Sequence, residues 1–152
     1  MYTILICDDD KDIRTALKIY LAGEGYRILE AENGREAISV TEHNEVHLVL
    51  MDIMMPQMDG VSATAKLREE YNLPIILLTA KSEDNDKILG LTAGADDYIT
   101  KPFNPLEVIA RVKAQLRRYA YLGGMEQKPQ KAFAIGGIEL DGSLPPGGWR
   151  YL

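Results

Sequence analysis

The sequence predicts an α/β domain in which helices cover both faces of a doubly wound, five-stranded parallel sheet. Five short apolar segments alternate with five segments whose apolar residues recur at helical spacing. Residues 48–51 are apolar at every position, which is typical of a strand buried on both faces of a parallel sheet. With 152 residues, the chain is long enough for one domain with a substantial core.

The first half of the chain contains three predicted strands and two predicted helices. The strands comprise residues 3–7, 26–31 and 48–52. Asp10 is a candidate N-cap for the first helix, which a pair of glycines ends. Asn33 and Glu36 have the spacing of a capping box that starts a second helix, which continues to about His43.

The second half continues the alternation. Asp59 caps a third helix that runs to about Tyr71, and residues 84–93 form a fourth. The fourth helix contains Gly90, which weakens a helix by about 1 kcal/mol relative to Ala. Pro105 suits the first position of the last helix. Its predicted buried side consists of Leu106, Ile109, Val112, Leu116 and Tyr119. The remaining strands are residues 74–79 and 98–100. The alternation of strands and helices along the chain most simply gives the flavodoxin-like fold.

Reactive side chains stand at the carboxyl ends of four predicted strands. They are Asp8 and Asp9, Asp52, Thr79 and Lys101. Because the carboxyl ends of parallel strands meet at one edge of a sheet, we expect these groups to share a crevice. Clustered carboxylates repel one another unless a cation joins them, and all-oxygen ligands favour Mg²⁺ over Zn²⁺. A lysine and a hydroxyl beside Mg²⁺ can stabilise a transferring phosphoryl group, which Asp52 could accept as a nucleophile.

In order and spacing, these residues resemble the receiver domain of two-component response regulators. The resemblance extends over about residues 2–121. It rests on Asp8-Asp9, Asp52, Thr79-Ala80 and Lys101-Pro102 taken together. It implies the receiver fold and the acceptance of a phosphoryl group from a sensor histidine kinase.

The resemblance also implies a role for each site residue. Asp52 would be the phosphoryl acceptor, and Lys101 would contact the phosphoryl oxygens. Asp9, Asp52 and the Met54 carbonyl would hold Mg²⁺, with Asp8 acting mainly through water. Thr79 and Tyr98 match the switch pair of the family, in which the hydroxyl turns toward the phosphate and the aromatic ring turns inward.

The later part of the chain resembles one branch of that family, the winged-helix transcription regulators of the OmpR/PhoB type. The matching segments are residues 87–91, 94–98, 101–103 and 107–118. The resemblance implies that the fourth helix, the fifth strand and the fifth helix form a homodimer face after phosphorylation. This face would contain Lys87, Ile88, Leu91, Asp96, Asp97, Glu107, Ile109, Arg111 and Arg118. Expected pairs between subunits are Lys87–Glu107, Asp97–Arg111 and Asp96–Arg118.

The sequence changes character after the last helix. Residues 1–121 are predicted to be the receiver domain and residues 122–132 a linker, because glycine and proline become frequent there. Residues 133–152 are predicted to be the remnant of an effector-domain start or a disordered tail. Phe133 to Asp141 resembles the opening strands of the DNA-binding domain of this branch, but no recognition helix follows. We therefore expect DNA to be reached only through a missing C-terminal domain.

Charge and composition limit the partners. The net charge is −6, and residues 123–152 hold three basic and three acidic residues, so the acidic excess lies in residues 1–122. Such a body is a poor partner for nucleic acid, because DNA affinity comes largely from Lys and Arg. A single cysteine excludes an internal disulfide, and no apolar segment reaches the about 20 residues of a membrane span. With a strand predicted so near Met1, we expect no signal peptide, no membrane contact and a cytoplasmic location.

Two other functional classes use similar residues. Haloacid dehalogenase-like phosphohydrolases also place Asp, Thr and Lys around Mg²⁺, but normally need a second Asp two residues after the nucleophile, where this chain has Met54. A nucleotide-binding domain needs a Gly-rich phosphate loop after a strand, and none is present. The main prediction is a phosphorylation-controlled switch for transcription, with only Mg²⁺-dependent self-phosphorylation and slow self-dephosphorylation as chemistry. The alternative is a stand-alone or truncated receiver that acts without DNA binding.

Overall fold

The computed structural model describes residues 1–80 and 84–121, in which five strands alternate with five helices. The strands are β1 Thr3–Cys7, β2 Arg27–Ala31, β3 Leu48–Asp52, β4 Ile75–Thr79 and β5 Asp97–Thr100. The helices are α1 Lys11–Ala22, α2 Gly34–His43, α3 Gly60–Arg68, α4 Asp84–Ala93 and α5 Pro105–Tyr121. The predicted linker and tail, residues 122–152, lie outside the described residues.

All five strands are parallel, and their order in the sheet is β2-β1-β3-β4-β5. The chain moves outward from β1 to β2 and then returns to the other side of β1 at β3. In doubly wound sheets, ligands bind at the crevice where the direction reverses in this way. Asp52 ends β3 and Asp8 follows β1, so both lie at that reversal. The predicted doubly wound, flavodoxin-like sheet is confirmed.

The sheet is buried on both faces, which explains the uninterrupted apolar runs in the sequence. Every residue of β1, β3 and β4 is buried. One face packs against α2 and α3, and the other against α1 and α5. Successive side chains of a strand point to opposite faces, so Leu48 and Leu50 belong to one core cluster while Val49 and Met51 belong to the other.

Local capping signals are formed much as predicted. Asp10 accepts a hydrogen bond from the Asp12 backbone N–H at 2.9 Å, and Asp59 caps α3 in the same manner. Asn33 Oδ1 accepts from the Glu36 N–H at 2.9 Å, as a capping box requires. The reciprocal bond differs, because the Glu36 carboxylate accepts from the N–H of Glu32 and not from that of Asn33. Residue 36 therefore stabilises the turn before the helix.

Two predicted features of the helices are wrong. Helix α3 ends at Arg68 and not near Tyr71, because the N–H groups of residues 70 and 71 both donate to the Leu67 carbonyl and tighten the last turn. In α5, Leu106 is 77% exposed, whereas Val108 is fully buried. Residues two positions apart in a helix lie about 200° apart around its axis. Because Val108 faces the core, Leu106 therefore faces solvent.

The other members of the predicted buried side of α5 do face the protein. Val112 and Leu116 are buried, and Ile109 and Tyr119 are partly buried against the core. Strands β2, β4 and β5 each start one residue away from the predicted position. Within the described part of the chain, no helix has both the length and the apolar character that crossing a bilayer requires.

Candidate functional site

Three carboxylates meet at the carboxyl edge of the sheet. One oxygen from each of Asp8, Asp9 and Asp52 lies within 4.8 Å of the other two. Asp8 and Asp52 are buried at the ends of β1 and β3, whereas Asp9 is exposed. The cluster is therefore rooted in the sheet and opens to solvent on the side of Asp9.

Lys101 bridges the two buried carboxylates. Its Nζ lies 3.1 Å from Asp52 Oδ1 and 3.4 Å from Asp8 Oδ2. The residue directly follows β5, its backbone N–H donates to the Thr79 carbonyl at 2.7 Å, and the Lys101–Pro102 peptide bond is cis. Lys101 thus joins the ends of four strands: its ammonium contacts the carboxylates after β1 and at the end of β3, and its backbone connects β5 to the end of β4.

The two buried carboxylates of the site are harder to ionise than free aspartates. Burial raises the pKa of Asp52 to about 6, and the neighbouring Asp8 adds to this effect while Lys101 opposes it. Burial also raises the pKa of Asp8. Burial alone would lower the pKa of Lys101, but the charges of Asp52 and Asp8 outweigh burial and raise it. One lysine only partly compensates these carboxylates.

The donor set fits a hard divalent cation. The three clustered candidate ligands are carboxylate oxygens, which Mg²⁺ prefers. Asp8 Oδ2 is buried, and in the described part of the chain it has the Lys101 ammonium at 3.4 Å as an ion-pair partner but forms no hydrogen bond. Buried polar atoms normally have a hydrogen-bond partner, so this oxygen keeps the capacity to contact a cation or to accept from a bound water. The Met54 carbonyl, also predicted as a ligand, belongs to the loop that follows β3.

The loop after Asp52 turns back sharply onto the strand. The Gly60 N–H donates to the Ile53 carbonyl at 2.8 Å, and a Cβ at Gly60 would overlap the Asp52 carbonyl oxygen. Only glycine permits this close approach, which holds the start of α3 against the end of β3. Sequence reasoning identified position 60 only as a helix start, because the contact joins residues eight positions apart.

The predicted switch pair lies on β4, which is next to β3, and on β5, the edge strand beyond it. Thr79 is buried at the end of β4, and its Oγ1 forms no hydrogen bond with the described residues. Tyr98 on β5 is partly buried, and the Nζ of Lys87 lies 4.7 Å from the centre of its ring. Helix α4 packs so closely on β4 that a Cβ at Gly90 would overlap the Leu77 side chain. Gly90 therefore has a packing role in addition to its predicted weakening of the helix.

The residues assigned to the dimer face lie at the surface of α4, β5 and α5. Ile88 is 63% exposed and Leu91 is 43% exposed, while Ile109 is partly buried. The charged residues already interact within this single chain. Arg111 contacts Asp97 at 2.9 Å and Glu107 at 3.0 Å, and Arg118 lies 3.9 Å from Asp96. Two of the three pairs predicted between subunits, Asp97–Arg111 and Asp96–Arg118, are thus formed inside the monomer.

Sequence reasoning missed two arginines that connect loops to neighbouring elements, one beside the site and one at the opposite edge of the sheet. Arg14 on α1 donates to the Asp8 carbonyl at 2.7 Å. Arg68 at the end of α3 donates to the carbonyl oxygens of Gly94 and Leu73 at 2.9 and 2.6 Å, and also contacts Asp96. The only signal for Arg14 was a basic residue between apolar positions of an amphipathic helix.

A doubly wound sheet that gathers three carboxylates, a lysine and a hydroxyl at its reversal point is equipped to accept a phosphoryl group on aspartate. The chain belongs to the response regulator receiver domain family, whose model matches residues 4–113. Members of this family are phosphoacceptors that receive their phosphoryl group from sensor histidine kinases, and in general they are not catalytic enzymes. The phosphohydrolase alternative is not favoured.

Individual relatives agree with this assignment. The chain is 51% identical over 126 residues to the response regulator GtcR of Aneurinibacillus migulanus, covering 83% of this chain and 52% of the relative. It is 51% identical over 115 residues to the transcriptional regulatory protein SrrA of Staphylococcus aureus, and the match covers 76% of this chain and 48% of the relative. The chain spans about half the length of these curated relatives. A crystal structure of a two-component response regulator from Clostridium difficile superposes with a TM-score of 0.74 at 37% identity, covering 78% of this chain and 98% of that one.

Proposed function

We propose that Asp52 is the phosphoryl acceptor of a response regulator of the OmpR/PhoB type, and that residues 1–121 are its receiver domain. The observation that carries this proposal is the position of Lys101 Nζ, 3.1 Å from Asp52 Oδ1 at the mouth of a three-carboxylate cluster. Among the clustered carboxylates, Asp52 is the one at the end of the central strand. Two further assignments stay predictions: a linker at residues 122–132, and an effector remnant or tail at residues 133–152.

The proposed Mg²⁺ ligands are Asp9, Asp52 and the Met54 carbonyl, with Asp8 acting mainly through water. Support comes from the 4.8 Å clustering of the three carboxylates and from the buried Asp8 Oδ2, which forms no hydrogen bond with the described residues. When bound there, Mg²⁺ would offset the negative charge that gathers on the phosphoryl oxygens during transfer.

The chain's own residues account for the rest of the transfer. With a pKa of about 6, Asp52 is mostly ionised at pH 7 and is a competent nucleophile. One of its oxygens attacks the phosphorus of a phosphohistidine. The phosphorus–nitrogen bond breaks, and its electron pair leaves with the imidazole nitrogen, which takes up a proton. Lys101 then shifts its contact from the carboxylate toward the new phosphoryl oxygens.

The output begins at Thr79. Phosphorylation adds about −1.5 to −2 charges at the sheet edge. The buried, unpaired Thr79 Oγ1 is able to donate to a phosphoryl oxygen. Movement of Thr79 vacates space for Tyr98 on the adjoining strand β5, and α4, which packs on β4 through Gly90, shifts at the same time. Tyr98 then turns inward and releases Lys87 from its ring.

The shift prepares the α4-β5-α5 face for a homodimer. The apolar residues Ile88 and Leu91 are exposed there and supply the attraction. The charges around them set the register, since surface ion pairs contribute only about 0–1 kcal/mol each. Through that dimer the regulator controls transcription, and DNA is reached through a C-terminal effector domain of the kind that the winged-helix branch has. The alternative of a receiver that acts without DNA binding is not favoured, because the relatives are transcriptional regulators. The cytoplasmic location stays a prediction.

The phosphorylation proposal is tested with acetyl phosphate and Mg²⁺, followed by intact-mass measurement. We expect one added phosphate on the wild-type chain and on Asp12→Asn, which changes an exposed carboxylate on α1. Asp52→Ala should remain unmodified, and Lys101→Ala should be modified more slowly. Normal labelling of Asp52→Ala would show that another residue is the acceptor.

A further inference from the structure

Arg14 is a buried charge whose side chain connects α1 to the ends of β1 and β2. It is 8% exposed. Its Nη1 donates to the Asp8 carbonyl oxygen at 2.7 Å, and its Nε donates to Glu30 at 3.0 Å. Its Nη2 lies 3.9 Å from Glu32. Two carboxylates at the surface therefore neutralise the guanidinium, and its contact with the acidic site is made through the backbone.

The bonded carbonyl belongs to the peptide group that joins Asp8 to Asp9. A peptide group is planar, so a hydrogen bond that fixes its oxygen also fixes the direction in which the next residue leaves. Asp9 is the exposed member of the acidic cluster and has no strand to hold it. The orientation of its carboxylate therefore depends on this peptide group.

The rest of the loop is held on either side of that peptide group. The Asp8 N–H donates to the Ala31 carbonyl at 3.1 Å. Asp8 Oδ1 accepts from the Asp10 N–H at 2.9 Å, and the Arg14 N–H donates to the Asp10 carbonyl at 3.1 Å. Without the Arg14 side chain, the segment between these anchors loses the bond that determines the rotation of the Asp8–Asp9 peptide group.

We propose that Arg14 is a positioning residue for the divalent cation, and that it holds Asp9 in the orientation in which this carboxylate shares the cation with Asp52. The inference rests on the cation site of the proposed function and adds a residue outside the ligand set that determines its affinity. Groups that orient metal ligands in this way change metal affinity by about 10–100-fold when they are removed.

The test compares Arg14→Ala with Lys18→Ala by calorimetric titration with MgCl₂. Lys18 is the matched control, because its Nζ also pairs with Glu30, at 3.6 Å, from an exposed position one turn along α1. We expect Arg14→Ala to weaken Mg²⁺ binding about tenfold and Lys18→Ala to bind within about twofold of wild type. The Mg²⁺ affinity of Arg14→Lys should lie between those of the two alanine variants, because one ammonium cannot make both fork contacts of the guanidinium at once.

A second readout separates positioning from a general structural role. In phosphorylation by acetyl phosphate, the half-saturating Mg²⁺ concentration of Arg14→Ala should rise about tenfold, while the rate at saturating Mg²⁺ stays within about twofold of wild type. A lower maximal rate with an unchanged half-saturating concentration would overturn the proposal. Circular dichroism in EDTA checks that the variant is folded.

Should Arg14→Ala fail to fold, Arg14→Met replaces it, because this change keeps an unbranched side chain on α1 and removes the donor to the Asp8 carbonyl. It should also weaken Mg²⁺ binding by about tenfold. Wild-type Mg²⁺ affinity in the folded variant would overturn the positioning role and leave the cation site intact. A wild-type chain that binds no Mg²⁺ would instead remove the cation site itself, and the inference with it.

Discussion

Replacing Asp52 by Asn should stabilise the Mg²⁺-free protein at neutral pH. The pKa of Asp52 rises from 3.8 to about 6 on folding, so its ionised form is disfavoured in the folded chain. At 1.36 kcal/mol per pKa unit, this corresponds to at most about 3 kcal/mol. The cluster opens to solvent at Asp9, and solvent screening reduces the figure to about 1.5 kcal/mol. For a domain of this size, that is a rise in Tm of about 5 °C.

The pH dependence of this gain follows from the direction of the shift. Because the folded pKa is the higher one, the folded state binds the proton more tightly, and stability falls as pH rises from 3.8 through about 6. The Tm difference between Asp52→Asn and wild type should therefore be fully present above pH 7 and vanish near pH 4. Thermal unfolding in EDTA, followed by circular dichroism between these values, measures it.

Two controls make the measurement specific. Asp12→Asn removes an exposed carboxylate on α1 and should change the free energy of unfolding by less than about 0.5 kcal/mol. Added Mg²⁺ should raise the Tm of wild type more than that of Asp52→Asn, because the ligand binds only the folded state and the variant has lost a charged ligand. An Asp52→Asn variant that is no more stable than wild type in EDTA at pH 7 would refute the electrostatic reasoning.

Three further predictions concern the switch and the dimer face. Thr79→Ala should accept phosphate but lose the change in amide exchange over residues 84–99, and wild-type exchange in the phosphorylated variant would contradict the coupling. Arg111→Glu should abolish phosphorylation-dependent dimers in sedimentation, because it places a third carboxylate beside Asp97 and Glu107. Gly90→Ala should lower the free energy of unfolding by about 0–2 kcal/mol in urea, because overlap of the new Cβ with a β4 side chain costs about 1–3 kcal/mol and the better helix propensity of Ala offsets about 1 kcal/mol of it. A raised midpoint would refute the close packing.

The sequence alone was sufficient to predict the fold and the carboxylates that meet at the edge of the sheet. Runs of apolar residues predict strands buried on both faces, since such a strand has no side that tolerates polar groups. Caps at Asp10, Asn33 and Asp59 are interactions within a few residues and are visible in the sequence. Strand ends meet at one edge of any parallel sheet, so the clustering of Asp8, Asp9 and Asp52 followed from topology.

Only the tertiary structure decided how strongly these groups act and what supports them. The pKa of Asp52 depends on its burial and on distances to Asp8 and Lys101, which belong to strand ends far apart in the chain. The hydrogen bond from Arg14 to the Asp8 carbonyl and the pairing of Arg111 with Asp97 inside one chain depend on how helices lie against strands. Such contacts leave no periodic or local pattern in the sequence, because the distances that determine them are fixed only when the core packs.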